Sequence, residues 1–270
     1  MPLREKALSI VQRLRQEGYE SYLAGGCVRD MLLHKSPKDY DIATSARPED
    51  VQRVFPDTVP VGAQFGVILV LVEGDPFQVA SFRYDGPYLD GRRPIHVRYG
   101  SLREDIQRRD FTINGMVYDP IDDRLIDFVE GQKDLARQTI RAIGDARQRF
   151  EEDRLRMIRA VRFAASLEFT IEAETFAAIQ ELAPTIAQIS WERIGDEITR
   201  ILTEGGARRG FELLDGCGLL ATLMPEIAAM KGTPQSPDYH PEGDVFQHTM
   251  LLLRHLEAPS ETLAYGCLLH

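Results

Sequence analysis

Residues Leu23 to Ile42 limit what this chain can fold into more than any other stretch. Tyr22-Leu23-Ala24 reads as a short strand, Gly25-Gly26 as a tight turn, Val28 to Leu33 as a helix, and Tyr40-Asp41-Ile42-Ala43 as a second strand. Asp39 and Asp41 stand two residues apart, the spacing that sends both side chains to one face of a strand. Carboxylates that close repel each other unless cations sit between them. The paired glycines let the backbone approach an anion, and Arg29 brings a fork of donors suited to phosphate oxygens. Sugar, triphosphate and divalent metal therefore share one address. An Asp-x-Asp triplet alone also fits a plain solvent-facing turn, and it is the order of elements around it that favours a site.

The surrounding pattern is mixed up to about Gly144. A first helix is expected over Glu5 to Gln16, followed by a hairpin of Val67 to Val72 and Phe77 to Phe82 around a Gly74-Asp75 turn. The first hairpin strand is apolar throughout, as a fully buried strand can be. Tyr84 to Pro94 has no period and reads as a long, functional loop carrying Asp85 and Arg92-Arg93. Beyond about Ala146 helices are expected over Arg149 to Glu168, Glu172 to Leu182, Ala187 to Thr203 and Ala207 to Cys217. Pro184, Gly205-Gly206, Gly216 and Gly218 supply the breaks. Pro234 to Gly243 reads as a linker before a further helix over Val245 to His255. The expected class is α+β: a mixed sheet with helices, then an all-helical region.

With 43% hydrophobic and 27% charged residues over 270 positions, the chain can bury a sizeable core as one large or two smaller domains. Met1-Pro2-Leu3-Arg4-Glu5-Lys6 leads into an amphipathic helix rather than a secretory apolar segment, and no apolar run approaches a membrane span. Cys27, Cys217 and Cys267 are too scattered for a disulfide framework or a zinc site, so a reducing cytoplasm is the expected compartment. The net charge of −10 argues against a protein that coats nucleic acid. Local charge runs the other way, because Arg83 to Arg109 is net positive by three, and Arg154, Arg156, Arg159 and Arg162 form a second basic ridge. Both suit phosphate, and both also suit a solvated arginine face.

Two further clusters carry chemistry. Arg108-Arg109-Asp110-Phe111-Thr112-Ile113-Asn114-Gly115 gathers phosphate and ribose partners near one helix start. Glu152-Asp153-Arg154-Leu155-Arg156 opens the helical region. A carboxylate such as Asp153 accepting from an exocyclic amino group, beside a guanidinium such as Arg156 donating to a ring nitrogen, accepts cytosine and adenine and rejects uracil and guanine. The plainer reading of that pair is an i, i+3 surface salt bridge contributing about 0.2–0.5 kcal/mol.

With these three motifs in order, the chain resembles the class II tRNA nucleotidyltransferases, the CCA-adding family that includes bacterial poly(A) polymerases. The resemblance implies a polymerase-β-like nucleotidyltransferase head over residues 1–145, a helical neck and partial body over 146–232, and the truncated start of an HD-like segment over 233–270. It implies that Gly26 and Arg29 contact the nucleotide, that Asp39 and Asp41 are catalytic and bind Mg²⁺, and that Arg109, Asp153, Arg156, Arg159 and Arg162 bind incoming CTP or ATP. The implied reaction is a two-metal displacement in which the tRNA 3′ hydroxyl attacks the α-phosphorus and pyrophosphate departs. No protein partner is implied.

Two departures from the family pattern stand out. Gln78 occupies the strand position where the family carries a third acid, which leaves two carboxylates, or a helper such as Asp110, to hold metal. Tyr239-His240-Pro241-Glu242-Gly243-Asp244-Val245-Phe246-Gln247-His248-Thr249 resembles the opening of an HD phosphohydrolase, yet the sequence stops at His270, where the family's Asp would follow. From His240, His248 and His270 no complete metal site is expected. Val61-Gly62-Ala63-Gln64-Phe65-Gly66-Val67 resembles the nucleotidyltransferase branch rather than the polymerases. A-only addition, poly(A) synthesis, and a non-catalytic RNA-binding role stay open as alternatives.

Overall fold

The computed structural model describes residues 1–86 and 97–270, so most of the predicted Tyr84 to Pro94 loop, with Arg92-Arg93, lies outside the described residues. The described residues divide into two compact units, residues 1–86 with 97–137, and residues 138–270.

In the first unit, α1 (Leu3–Gln16) leads to β1 (Ser21–Ala24), α2 (Gly26–Leu32), β2 (Asp41–Thr44), α3 (Pro48–Val54), β3 (Thr58–Gly62), β4 (Val67–Val72) and β5 (Asp75–Ser81). A short ribbon of β6 (Arg83–Asp85) and β7 (Val97–Tyr99) precedes α4 (Leu102–Gln107), β8 (Met116–Asp119), β9 (Arg124–Asp127) and α5 (Gly131–Ala136). Among the described residues the main sheet has seven strands in the order β3-β4-β5-β2-β1-β8-β9. It is mixed: β2 and β5 run parallel, pairing Ile42 with Val79, and the other neighbours are antiparallel. β1 is buried along its whole length, so the glycine turn at its end is held by the sheet's centre rather than its rim.

Two local expectations change here. β4 is not buried throughout: Ile68 and Val70 are inside while Val67, Leu69 and Val72 are partly exposed and Leu71 is 36% exposed, so one face of this strand is less covered than the other. β2 begins at Asp41, so Asp39 sits in the extended approach to the strand rather than on it. Asp39 is exposed and Asp41 is half-buried.

The second unit runs β10 (Thr139–Ile140), α6 (Ala146–Glu152), α7 (Leu155–Leu167), β11 (Thr170–Ile171), α8 (Ala173–Leu182), α9 (Trp191–Thr203), α10 (Ala207–Gly216), α11 (Leu219–Leu223), α12 (Pro225–Ala228), α13 (Val245–Arg254) and α14 (Glu261–Leu268). Its core is the inner face of α7, with Ile158, Ala160, Val161 and Ala164 wholly buried, packed against α9 and α10. Gly210 on α10 permits α10 to approach α9, since a Cβ there would lie 2.4 Å from the Ile201 side chain.

The single helix expected over Arg149 to Glu168 is two helices. Asp153 is extended (φ −144°, ψ 104°), and its Oδ1 accepts the Leu155 backbone N–H at 3.1 Å, which starts α7 afresh. The helix expected from Ala187 begins at Trp191, after a 3₁₀ stretch over Ala183–Gln188 that Pro184 opens. Among the described residues no helix is long and apolar enough to cross a membrane.

Candidate active site

In the first unit the sheet centre brings two of the predicted motifs together. Gly25 takes φ +74°, a conformation that favours glycine, and its N–H donates to the Met116 carbonyl at 3.3 Å, tying the turn to β8. Arg29 on α2 then bridges the motifs. Its NH1 donates to Asn114 Oδ1 at 2.9 Å, and its Nε and NH2 grip Asp30 Oδ1 at 2.9 and 2.7 Å. Arg109 also approaches the turn, where a Cβ on Gly25 would come 3.3 Å from its NH1. Asp110, a candidate helper acid, turns back on its own loop and accepts from the Phe111 N–H at 2.7 Å and Asn114 Nδ2 at 3.3 Å.

Asp41 reports the electrostatics of this corner. Burial first, and the Asp39 charge second, push its carboxyl up to about 6, with Arg109 pulling the other way. Burial and the neighbouring Asp39 charge thus outweigh Arg109 at Asp41. Gln78 stands beside it: β2 and β5 are parallel with Ile42 opposite Val79, so one residue earlier on each strand are Asp41 and Gln78. Gln78 is exposed and brings no charge.

In the second unit the predicted base-selecting cluster does not form the i, i+3 pair its spacing allows. Asp153 Oδ2 accepts from NH2 of Arg193 at 2.9 Å, and Arg156 NH1 instead donates to Glu152 Oε2 at 2.9 Å and to the Arg149 carbonyl at 3.1 Å. The basic ridge is also partly interior. Arg162, buried, donates through Nε to Glu197 Oε2 at 2.7 Å and through NH1 to Glu204 Oε2 at 3.0 Å, while the more open Arg159 approaches Glu197 Oε1 at 3.6 Å. Arg193, Glu197 and Glu204, none of them singled out from sequence, thus hold three of the four predicted residues of this unit.

The families described as Poly A polymerase head domain and Probable RNA and SrmB-binding site of polymerase A match residues 21–141 and 168–231. The CCA-adding enzyme of Geobacillus stearothermophilus is 44% identical over 220 residues, 81% of this chain and 54% of that protein. That of Lactobacillus johnsonii is 40% identical over 237 residues, 87% of this chain and 58% of that protein. A crystal structure of the Bacillus stearothermophilus CCA-adding enzyme in complex with CTP superposes with a TM-score of 0.76 at 42% identity, over 83% of this chain and 54% of that one. The chain belongs to the class II tRNA nucleotidyltransferase and poly(A) polymerase family.

Membership in the nucleotidyltransferase family accounts for the mixed-sheet head, in which the glycine turn, the Asp pair and Arg109 come from different elements meeting at the sheet centre. The chain spans just over half the length of these two curated nucleotidyltransferase relatives. Beyond the matched segments, the histidines of residues 233–270 come together more than their sequence positions suggested. The His240 and His248 rings are 4.8 Å apart, His270 is 5.5 Å from His248, and Glu242 Oε1 meets Nδ1 of both His248, at 2.5 Å, and His240, at 3.2 Å. Those hydrogen bonds, His248's first, hold the Glu242 carboxyl down to about 2. Ligand atoms of His240, Glu242 and His248 lie within 4.8 Å of one another, a spacing compatible with one metal ion, and Glu242 is the member that sequence reasoning passed over.

Proposed function

We propose that this chain is a CCA-type tRNA nucleotidyltransferase, extending the tRNA 3′ end from CTP and ATP without a nucleic-acid template. The observation that carries the reading is the acid pair beside the glycine turn, with Asp41 raised to about 6 and Arg109 at hand. The relatives called CCA-adding enzymes, one of them in complex with CTP, support the choice of substrates. The proposed organisation is a catalytic head over residues 1–145, a helical neck and body over 146–232, and an HD-like segment over 233–270, in a cytoplasmic protein.

Hard carboxylate oxygens on two neighbouring acids fit Mg²⁺, which Asp39 and Asp41 would hold. Bound there, Mg²⁺ supplies acidification of the attacking hydroxyl and neutralisation of the phosphates. The chain's own residues do the rest. Gly26 lets the backbone of the turn approach the nucleotide, and Arg29, already fixed by Asp30 and Asn114, presents its guanidinium there. Arg109 neutralises charge on the triphosphate and on the pyrophosphate that leaves as the 3′ oxygen bonds to the α-phosphorus. Asp153 and Arg156 choose the base, and Arg159 extends the nucleotide-binding face of α7, with Arg162 held beneath it by Glu197 and Glu204. Gln78 asks this site to work with two acids.

The test gives the protein tRNA ending before the tail, after C, and after CC, each with labelled CTP or ATP and Mg²⁺. Stepwise labelling of all three is the expected result. Labelling of the CC end alone reassigns the chain to A addition, poly(A) made on unrelated RNA reassigns it to the polymerases, and RNA binding with no label leaves a non-catalytic binder.

A further inference from the structure

We propose that Asp105 is a positioning residue for nucleotide binding, gripping the Nε–NH2 edge of Arg109 so that its NH1 is held ready to meet an anion beside the glycine turn. The inference rests on the nucleotidyl-transfer reading above, in which Arg109 meets the triphosphate.

Asp105 lies on α4 with no exposed surface, a position where an ionised carboxylate persists only if it is paired and hydrogen-bonded. It is paired twice. Oδ2 accepts from Nε and NH2 of Arg109 at 3.3 and 3.0 Å, and Oδ1 accepts from Nε and NH2 of Arg108 at 3.0 and 2.7 Å. Oδ1 also accepts the backbone N–H of Arg83, at the start of β6, at 3.4 Å. Burial pushes the carboxyl up, but Arg109 and Arg108 more than reverse it and hold it below the usual Asp range, so Asp105 stays charged.

What the grip leaves over gives Asp105 its function. With Nε and NH2 of Arg109 committed, NH1 makes no hydrogen bond among the described residues and points where a Gly25 side chain would be. The Arg109 charge is felt at Asp41, so this arginine lies within electrostatic reach of the acid pair. An unheld arginine samples many rotamers and must be ordered when an anion binds. One clamped by a buried carboxylate has met that cost on folding, and it approaches the anion in one orientation. Arg108 shares the anchor but turns to Asp85 at 3.6 Å, which assigns the two neighbouring arginines different tasks.

The experiment is a double-mutant cycle on the full chain, reading the CTP dissociation constant in Mg²⁺, KM and kcat for incorporation, and thermal stability. Asp105→Asn keeps shape and removes charge, and is expected to weaken CTP binding ~10-fold. Added to Arg109→Ala it should weaken binding no further, because the carboxylate acts through that arginine. Arg109→Lys keeps the charge but loses the fork, and should resemble Asp105→Asn; this arm decides the matter if Asp105→Asn does not fold. Wild-type affinity in Asp105→Asn, additive losses in the cycle, or wild-type affinity in Arg109→Lys overturns the inference while leaving the functional reading intact. Absence of CTP binding by the wild-type chain overturns both.

Discussion

Asp153 is paired with Arg193, forty residues downstream, and not with Arg156, three residues away. Asp153 Oδ1 is spent on the Leu155 N–H and Oδ2 on Arg193, so helix start and salt bridge together fix the plane of this carboxylate. Arg193 carries a second feature: its NH1 is buried and has no hydrogen-bond partner among the described residues. Arg193→Leu should therefore free Asp153 to rotate and reduce discrimination between CTP and UTP about tenfold, the scale expected when a recognition group loses its support. The ratio of kcat/KM for the two nucleotides checks it, and an equal fall for both would mean that Arg193 serves the fold alone.

The raised Asp41 carboxyl makes stability depend on pH in an unusual direction. An Asp whose folded-state value is about 6, against 3.8 unfolded, binds its proton more tightly in the native state. Stability is then fully present below pH ~4, falls between ~4 and ~6 as the unfolded chain alone releases the proton, and stays reduced above ~6. The cost at neutral pH is on the order of 2–3 kcal/mol. Asp41→Asn, with divalent ions chelated, should be more stable than wild type at pH 7.5 by an amount of that order, and should lose this part of the pH dependence. Urea unfolding at several pH values measures both. Adding Mg²⁺ should stabilise the wild type and leave Asp41→Asn unchanged, although Asp41→Asn incorporates no nucleotide.

The head was legible in the sequence because its signals are local. Gly25 is glycine where φ is positive, Val79 and its neighbours alternate, and Asp39 and Asp41 advertise their charge without help from distant residues. The interior ion pairs were not legible. Asp105 reads as a first-turn acid on an ordinary amphipathic helix, yet Arg108, Arg109 and the Arg83 N–H converge on it inside the fold. The break at Asp153 was hidden for a related reason: neither Gly nor Pro stands between Phe150 and Val161, and helical spacing resumes at once through Leu155, Ile158 and Val161. Its stop is made by a side chain capping the next helix and by a partner on α9, and neither is a matter of local period.

Gln78 gives a gain-of-function test. It flanks Asp41 on the adjacent parallel strand, and an acid there would lie beside the existing pair. Gln78→Glu should lower the Mg²⁺ concentration needed for half-maximal incorporation several-fold and, with metal chelated, reduce stability further, since a third carboxylate adds repulsion that only a cation relieves. A Mg²⁺ titration of activity, read beside melting curves in chelator, decides it. Unchanged Mg²⁺ demand with unchanged stability would show that position 78 does not share the field of the pair.

Glu197 separates architecture from chemistry in the second unit. This buried carboxylate on α9 receives Arg162 at 2.7 Å and Arg159 at 3.6 Å, and Arg162 is itself buried, with its guanidinium 4.3 Å from the centre of the Phe163 ring. Glu197→Gln would leave Arg162 with only the more exposed Glu204. Removing one partner of a buried pair costs up to about 3–5 kcal/mol where the remaining charge is left unpaired, and Glu204 offsets part of that here. The chain should lose stability of that order in urea unfolding, with a midpoint shift and little change in slope. Arg162→Met in the same background removes the stranded charge and should recover part of the loss, since an apolar side chain of similar length tolerates that interior. If the double variant is no more stable than Glu197→Gln alone, the cost comes from lost packing around α7 and α9 and not from the uncompensated guanidinium.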